Sequence, residues 1–284
     1  MNGPPPRATH FTRHQPERQT AMECMICRSE MAWFFSKAFN AFDLGQVDYW
    51  KCPACGFAAS RTHLEMSDER WARLNNDFHA QTHYTEDNPY NRNQRYFNQA
   101  LMLSLMRKQG LIQPDDWLDW GCGVGAVSKL LQHYFDVRLG TYDKYFTPEV
   151  NALAPTDLRP RGHNLVLNTA VFEHVRDRAT LDEIESYVSP HGAFAIHTLV
   201  PENVPQNPDW MYLLPVHCAF HTNRSMQLLM DQWGYRCSVY NEHAKLWVLF
   251  HDDPAVIEPK VQALNKAMGW SYLHYKAGFM DYWK

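Results

Sequence analysis

The 284-residue sequence predicts an α/β protein, a mostly parallel, doubly wound sheet preceded by a small cysteine-rich ribbon. Three observations carry this expectation. Apolar runs of strand length alternate with helical patterns between residues 96 and 252, as a parallel sheet with crossover helices requires. A buried run, Trp117-Leu118-Asp119-Trp120, ends in Gly121-Cys122-Gly123-Val124-Gly125 and opens a helix over Ala126–Phe135. Two Cys-x-x-Cys pairs stand near the N-terminus. The expected layout is a disordered tail (1–20), a zinc ribbon (21–62), a linker helix and lid loop (63–95), the sheet domain (96–252), and a C-terminal helix with an aromatic tail (253–284).

The first twenty residues carry Pro, Arg and His with no hydrophobic segment of signal-peptide type, and no apolar run approaches the ~20 residues of a spanning helix. We therefore expect a cytoplasmic protein with no membrane association. A formal net charge of -4 gives no general attraction to nucleic acid or anionic lipid, which points to small-molecule partners. With 45% hydrophobic residues the chain can build one full α/β core plus a small appendage.

Cys24, Cys27, Cys52 and Cys55 have the spacing of two knuckles whose thiolates converge on a structural Zn2+, a four-sulfur shell with no open position for chemistry. Two disulfides or four free thiols are the alternatives, and a reducing compartment disfavours the first. Between the pairs lie Trp33, Phe34, Phe35, Phe39, Phe42, Tyr49 and Trp50. They either pack on the neighbouring domain or form a base-stacking surface. Only Arg28, Lys37 and Lys51 accompany them, against Glu30, Asp43 and Asp48, which favours packing.

Ser67-Asp68-Glu69-Arg70 reads as a helix start, with Trp71, Leu74 and Phe78 at helical spacing. The polar stretch His79–Gln94, interrupted by Pro89, reads as a loop, and Tyr96–Lys108 as an amphipathic helix with Phe97, Leu101, Leu103, Leu105 and Met106 toward the sheet. Strands are expected at Trp117–Trp120, Arg138–Tyr142, Asn164–Asn168, Ala193–Leu199, Arg236–Glu242 and Leu246–His251, and a helix around Val256–Met268. Only about 20 residues separate Asp143 from the strand at Asn164, so the third strand of a doubly wound sheet is expected to be shortened or absent. Asp157, or backbone around 154–158, is the remaining candidate for reading a purine base.

A glycine turn between strand and helix lets the main chain approach a ligand and offers free N–H groups to an anion. Asp143, about 20 residues past the first glycine at the end of the next apolar run, can accept both hydroxyls of a ribose. Gly121-x-Gly123-x-x-Ala126 also satisfies a loose dinucleotide fingerprint, but Asp119 would crowd a pyrophosphate, whereas it can reach an ammonium. That favours S-adenosylmethionine over a nicotinamide cofactor.

The stretch from Leu118 to Gly125, then Tyr142-Asp143, then Asn168-Thr169-Ala170-Val171-Phe172-Glu173-His174-Val175, then Val188-Ser189-Pro190-His191-Gly192-Ala193-Phe194, resembles the successive motifs of class I S-adenosylmethionine-dependent methyltransferases across roughly residues 95 to 250. The resemblance implies a Rossmann-like sheet. It also implies a cofactor held by Asp119, Gly121, Cys122, Gly123, Gly125, Asp143, Lys144, Asn168, Thr169 and Phe172. Within that class the chain is similar to a bacterial branch with an N-terminal zinc ribbon, echoed again at Trp210, His217, Phe220 and Thr222. In such enzymes the segment before the glycine motif often closes over the cofactor, which makes Tyr84, Tyr90, Asn91 and Arg95 candidates for ligand contact, with an ordinary polar surface loop as the alternative.

Glu173 and His174 look like the family's common pair, whose usual role is to begin a helix and brace the cofactor loop. His174 is also a candidate base. The segment from His197 to Thr222 is too long and aromatic for a mere connection and is expected to build the acceptor pocket, with Trp210 and Tyr212 lining it. His217 and His221 titrate near neutrality and are candidate proton acceptors; His221 stands where the branch more often has an aromatic. With His174 or His197 they could instead bind a metal, although 15 histidines make such coincidences common, and His217 could equally be a hydrogen-bonded structural residue. The expected chemistry is direct displacement onto a sugar, an amino-acid derivative or a secondary metabolite. The alternatives are an RNA base methyltransferase and a non-catalytic cofactor-binding module. Either a monomer or a homodimer is compatible with the sequence.

Overall fold

The computed structural model describes residues 21–82 and 92–281. The expected tail at 1–20 lies outside the described residues, as do Tyr84, Tyr90, Asn91, Tyr282 and Trp283. In chain order the elements are β1 (Met22–Glu23), β2 (Glu30–Phe39), β3 (Gly45–Lys51), β4 (Ala58–Ser60), α1 (Arg61–Leu64), α2 (Asp68–Thr82), α3 (Arg92–Lys108), β5 (Trp117–Trp120), α4 (Ala126–Phe135), β6 (Gly140–Tyr142), β7 (His163–Thr169), α5 (Arg178–Ser186), β8 (Val188–His197), β9 (Ala219–Phe220), α6 (Asn223–Gln232), β10 (Cys237–Asn241), β11 (Leu246–Phe250), α7 (Pro254–Met268) and β12 (His274–Ala277).

The main sheet has seven strands in the order β12-β10-β11-β8-β7-β5-β6. Pairs β5–β6, β5–β7 and β7–β8 are parallel, and β11, β10 and the edge strand β12 extend the sheet beyond β8 antiparallel. This is the Rossmann-like class I arrangement, with chain reversal beside β5, where ligands bind outside the carboxyl ends of strands. The third strand is reduced to a single parallel bridge between Thr141 and Ala152, held by Thr141 N–H to Asn151 O (2.9 Å) and Leu153 N–H to Thr141 O (2.8 Å). Too few residues remain there for a full crossover, so the chain forms one bridge and returns.

Strand periodicity divides the core. Leu165, Leu167, Ala193, Ala195 and Val248 face α3, α4 and α7, packing on Met102, Leu103, Val127, Leu131, Ile257 and Val261. Val166, Phe194, Ile196 and Trp247 face the opposite side, where α5, α6 and the ribbon pack. The aromatic tail adds a strand the sequence reading did not anticipate: β12 pairs with β10, and Phe279 stacks on Trp247 at 5.6 Å.

The N-terminal ribbon is also larger than expected. Strands β1 to β4 form an antiparallel sheet, and β9, from the insertion after β8, adds its fifth strand through Ala58–Phe220 and Ala59–Ala219. One continuous buried cluster runs from Ile26, Phe35, Tyr49 and Phe57 through Phe220 and Phe172 to Phe194 and Leu118. Tyr49 and Phe35 lie inward while Trp33 remains 49% exposed. No described helix is long and apolar enough to cross a membrane.

Candidate active site

The ribbon's cysteine knuckles are tightly bonded loops. Arg28 N–H donates to Cys24 O and Gly56 N–H to Cys52 O, both at 2.9 Å. The sulfurs of Cys24 and Cys55 are 3.6 Å apart, those of Cys27 and Cys52 are 3.4 Å apart, and all four lie within 4.8 Å of one another without a disulfide. A tetrahedral Zn–S shell at about 2.3 Å has edges of about 3.8 Å, so this donor set can hold zinc. The proximity of Cys55 holds the Cys24 thiol down at about 5, while Cys24 first and burial second push Cys55 up. Thr222 Oγ1 donates to Cys55 O (2.7 Å) and Gln232 Nε2 to Ile26 O (2.8 Å), which ties both knuckles to α6.

At the carboxyl end of β5 the chain turns through Gly121, Gly123 and Gly125, all with positive φ. A Cβ on Gly121 would stand 2.6 Å from Val171 Cγ2, so this glycine is required by close packing; one on Gly123 would meet nothing within 4 Å, so that turn faces open space. No side chain caps the N-terminus of α4, leaving its first N–H groups available to a ligand. Asp119, one residue before this turn's entry at Trp120, is 1% exposed, and among the described residues its Oδ1 has no hydrogen-bond partner. Burial first and Asp143 second raise it to about 8.

Asp143 braces the turn: Oδ2 accepts Gly123 N–H (2.8 Å), and Oδ1 accepts Tyr145 N–H (2.8 Å) and Phe146 N–H (3.0 Å). A carboxylate offers about four lone-pair sites, so capacity for a hydroxyl remains. Cys122 is half-buried and Lys144 is exposed beside the Tyr145 ring. Asn168 is buried, donating Nδ2 to Trp120 O (3.0 Å), and Thr169 ends β7. Phe172 is placed in the core against Phe194, His221 and Trp233, so its ring face is not available to a cofactor. Asp157 is spent locally, accepting Ala154 N–H (2.9 Å).

The histidine expectations divide. His221 is sealed between Phe57 and Phe172, 1% exposed, with both ring nitrogens unpartnered among the described residues and its ring pushed down to about 3 by burial. There it lies in the core between two aromatic rings, outside the group formed by Glu173, His174 and His217, which counts against both expectations for it. His197 is also taken: Nδ1 donates to Lys245 O (2.6 Å) and Nε2 accepts from Arg95 Nη1 (2.9 Å). His217 and His174 do come together, with ring centroids 5.0 Å apart.

Three features around that pair escaped sequence reasoning, because each joins distant segments. Tyr212 donates its hydroxyl to Glu173 Oε1 at 2.6 Å, and its carbonyl accepts His217 Nδ1–H at 2.8 Å. Asn75 on α2 orients His174 through Oδ1 at 3.0 Å, its own amide fixed by donation to Trp71 O at 2.9 Å. Cys218 N–H donates to Glu173 O, and Ser60 N–H to Cys218 O, both at 2.8 Å, so the ribbon and the site share a strut. Burial raises Glu173 and lowers His217 to about 4, so the His217 imidazole is neutral at pH 7. Trp210 packs on Tyr212 and Phe220 rather than standing free in a pocket.

A glycine turn over a buried acid thus stands at the carboxyl edge of a Rossmann-like sheet. A family model described as a methyltransferase domain matches residues 67–238. The chain belongs to this methyltransferase-domain family. Among solved structures it is similar to a possible histamine N-methyltransferase from Thermotoga maritima (12% identity, 64% of this chain and 98% of that one, TM-score 0.39). It is also similar to the plantazolicin methyltransferase BpumL in complex with S-adenosylhomocysteine and a pentazolic substrate analogue (11%, 66% and 92%, 0.43). A third is a methyltransferase from Archaeoglobus fulgidus (13%, 63% and 94%, 0.37). No curated protein sequence matches the chain.

Proposed function

We propose that this methyltransferase uses S-adenosylmethionine to methylate a small-molecule acceptor, and that its ribbon carries a structural zinc ion. The observation that carries the cofactor reading is Asp119: a buried carboxylate with an unpartnered oxygen, under a glycine turn that leaves open space at Gly123. Such a group is costly unless a cation arrives, and the ammonium of the cofactor's methionine part answers it. Asp143 would take the ribose, and the uncapped start of α4 the carboxylate.

When bound, the sulfonium supplies an electrophilic methyl group. The chain's own residues supply position: Gly121 packed on Val171 holds the turn, Asp143 braces Gly123, and Asn168 ties β7 to Trp120 beside it. Holding two reactants in line contributes ~7–11 kcal/mol to such a displacement.

The RNA reading is disfavoured by how the ribbon's cations are used. Lys37 Nζ donates to Leu213 O (3.0 Å) and Lys51 Nζ to Val204 O (3.2 Å), so both bind the insertion and not a phosphate. Isothermal calorimetry of the full, zinc-replete chain with S-adenosylhomocysteine tests the cofactor. Transfer of labelled methyl into a fractionated metabolite pool tests the acceptor class. No heat with the ligand overturns the first reading, and label entering only RNA overturns the second.

A further inference from the structure

The donor set at the Glu173 turn has more order than packing requires. One carboxylate oxygen of Glu173 and one ring nitrogen each of His174 and His217 lie within 4.8 Å of one another. Glu173 is 2% exposed and, among the described residues, its Oε2 has no hydrogen-bond partner, although two imidazoles stand beside it. A hydrogen-bonded cluster would aim an imidazole N–H at that oxygen. Here both rings spend Nδ1–H elsewhere, His174 on Asn75 Oδ1 and His217 on the Tyr212 carbonyl, which makes Nε2 the lone-pair nitrogen of each. One ligand atom each from a buried carboxylate and two imidazoles thus converges on one place.

We propose that Glu173, His174 and His217 bind a divalent first-row transition ion of the zinc, cobalt, iron or manganese type. Two imidazoles with one carboxylate suit such ions, whereas magnesium and calcium favour all-oxygen shells. The surroundings are those a metal site needs: each ligating histidine donates its other N–H to a fixed oxygen, and Glu173 Oε1 is held by the Tyr212 hydroxyl at 2.6 Å. Tyr212 therefore supports two of the three ligands. Neighbouring ligands at about 2.1 Å from an ion lie about 3.4 Å apart in a tetrahedron, a spacing within the bound on the separation of these donors.

The site is distinct from the ribbon's four sulfurs and adjoins the glycine turn, because Val171, two residues before Glu173, packs on Gly121. Three protein ligands leave open positions. An acceptor hydroxyl taken there would lose its proton to bulk water more readily, and its lone pair would form the bond to the methyl carbon while the C–S electron pair stays on sulfur. This role toward the acceptor rests on the methyltransferase reading above; the metal site itself does not.

The test uses the full, zinc-replete chain titrated with Co2+. One equivalent beyond the zinc should bind, with visible d–d absorption and no near-ultraviolet thiolate charge transfer. Proton NMR of that species in water should show two paramagnetically shifted, exchangeable N–H resonances, from Nδ1–H of His174 and His217, lost in D2O. His217→Gln and His174→Gln should each weaken Co2+ by about 100-fold or more, and Tyr212→Phe by about 10–100-fold. S-adenosylhomocysteine affinity, measured in parallel, should be retained in all three variants, so that loss of the metal and loss of the cofactor reading are told apart. Absence of a second equivalent at millimolar Co2+, thiolate charge transfer in its spectrum, or shifted N–H resonances that number other than two would overturn the proposal, and the wild-type spectra decide it even if a variant fails to fold.

Discussion

The ribbon's knuckles and the glycine turn after β5 are built from the same material, backbone bent through positive φ, and end in opposite conditions. At the knuckles Arg28 and Gly56 turn the chain so that backbone bonds close and four sulfurs face one centre. At the turn, Gly121 and Gly123 bend the chain over an acid whose Oδ1 has no hydrogen-bond partner among the described residues, beside a helix start that no side chain caps. A closed loop holds structure and an open one waits for a ligand. The lesson is that unmet polar groups, more than the bends themselves, distinguish the proposed binding turn from the structural one.

The sharpest way to break that contrast is at the closed end. Cys52→Ser, or zinc chelation, should unfold the ribbon. Because the ribbon's core is continuous with the Phe172–Phe194 face, the melting temperature of the whole chain should fall by about 10–20 °C for a loss on the order of 5 kcal/mol. An unchanged melt with zinc removed would show that the knuckles do not need the metal.

At the open end, Asp119→Asn should weaken S-adenosylhomocysteine by about 10–150-fold, the worth of a hydrogen bond to a charged group, about 1.5–3 kcal/mol. Calorimetry reads this directly, and equal affinity in the variant would remove Asp119 from the site.

A smaller effect sharpens the same point through pH. In the empty protein Asp119 keeps its proton up to about 8, and an ammonium needs the carboxylate, so binding releases a proton. Affinity should rise with pH from 6 toward 8, by at most about tenfold per unit, and level off above. Stability of the empty protein runs the other way: the folded state holds this proton above the unfolded pKa of about 3.9, so the contribution is lost as pH rises toward 8. Asp119→Asn should flatten both dependences.

The smallest effect is expected at His221. Replacing it with Phe removes two unpartnered buried nitrogens and should stabilise the fold by about 1 kcal/mol in denaturant melts, with methyl transfer unchanged. A loss of transfer in a stable His221→Phe protein would return this residue to the site.

Local features were legible in the sequence because they are made by neighbours in the chain. The span of β5, the start and end of α4, the glycine turn and the four cysteines follow from periodicity, turn chemistry and ligand spacing, each set within a few residues. The shortened third strand could be read from length alone, since a strand and its crossover need more residues than lie between Asp143 and β7. The histidines could not be sorted in this way. His217 and His221 stand four apart, yet β9 lies between their side chains' destinations, and its pairing with the ribbon turns His221 into the core while Tyr212 holds His217 at the sheet edge.

By itself, then, the order of residues determined the sheet, its glycine turn and the soft-donor cluster, because short-range geometry and side-chain chemistry suffice for each. Tertiary structure alone decided that the insertion completes the ribbon, that α2 delivers Asn75 to His174, and that Glu173 meets two imidazoles with one oxygen unmet. Those contacts join segments up to about a hundred residues or more apart, and which of them form depends on the burial of apolar surface, a property of the whole chain that no local window contains.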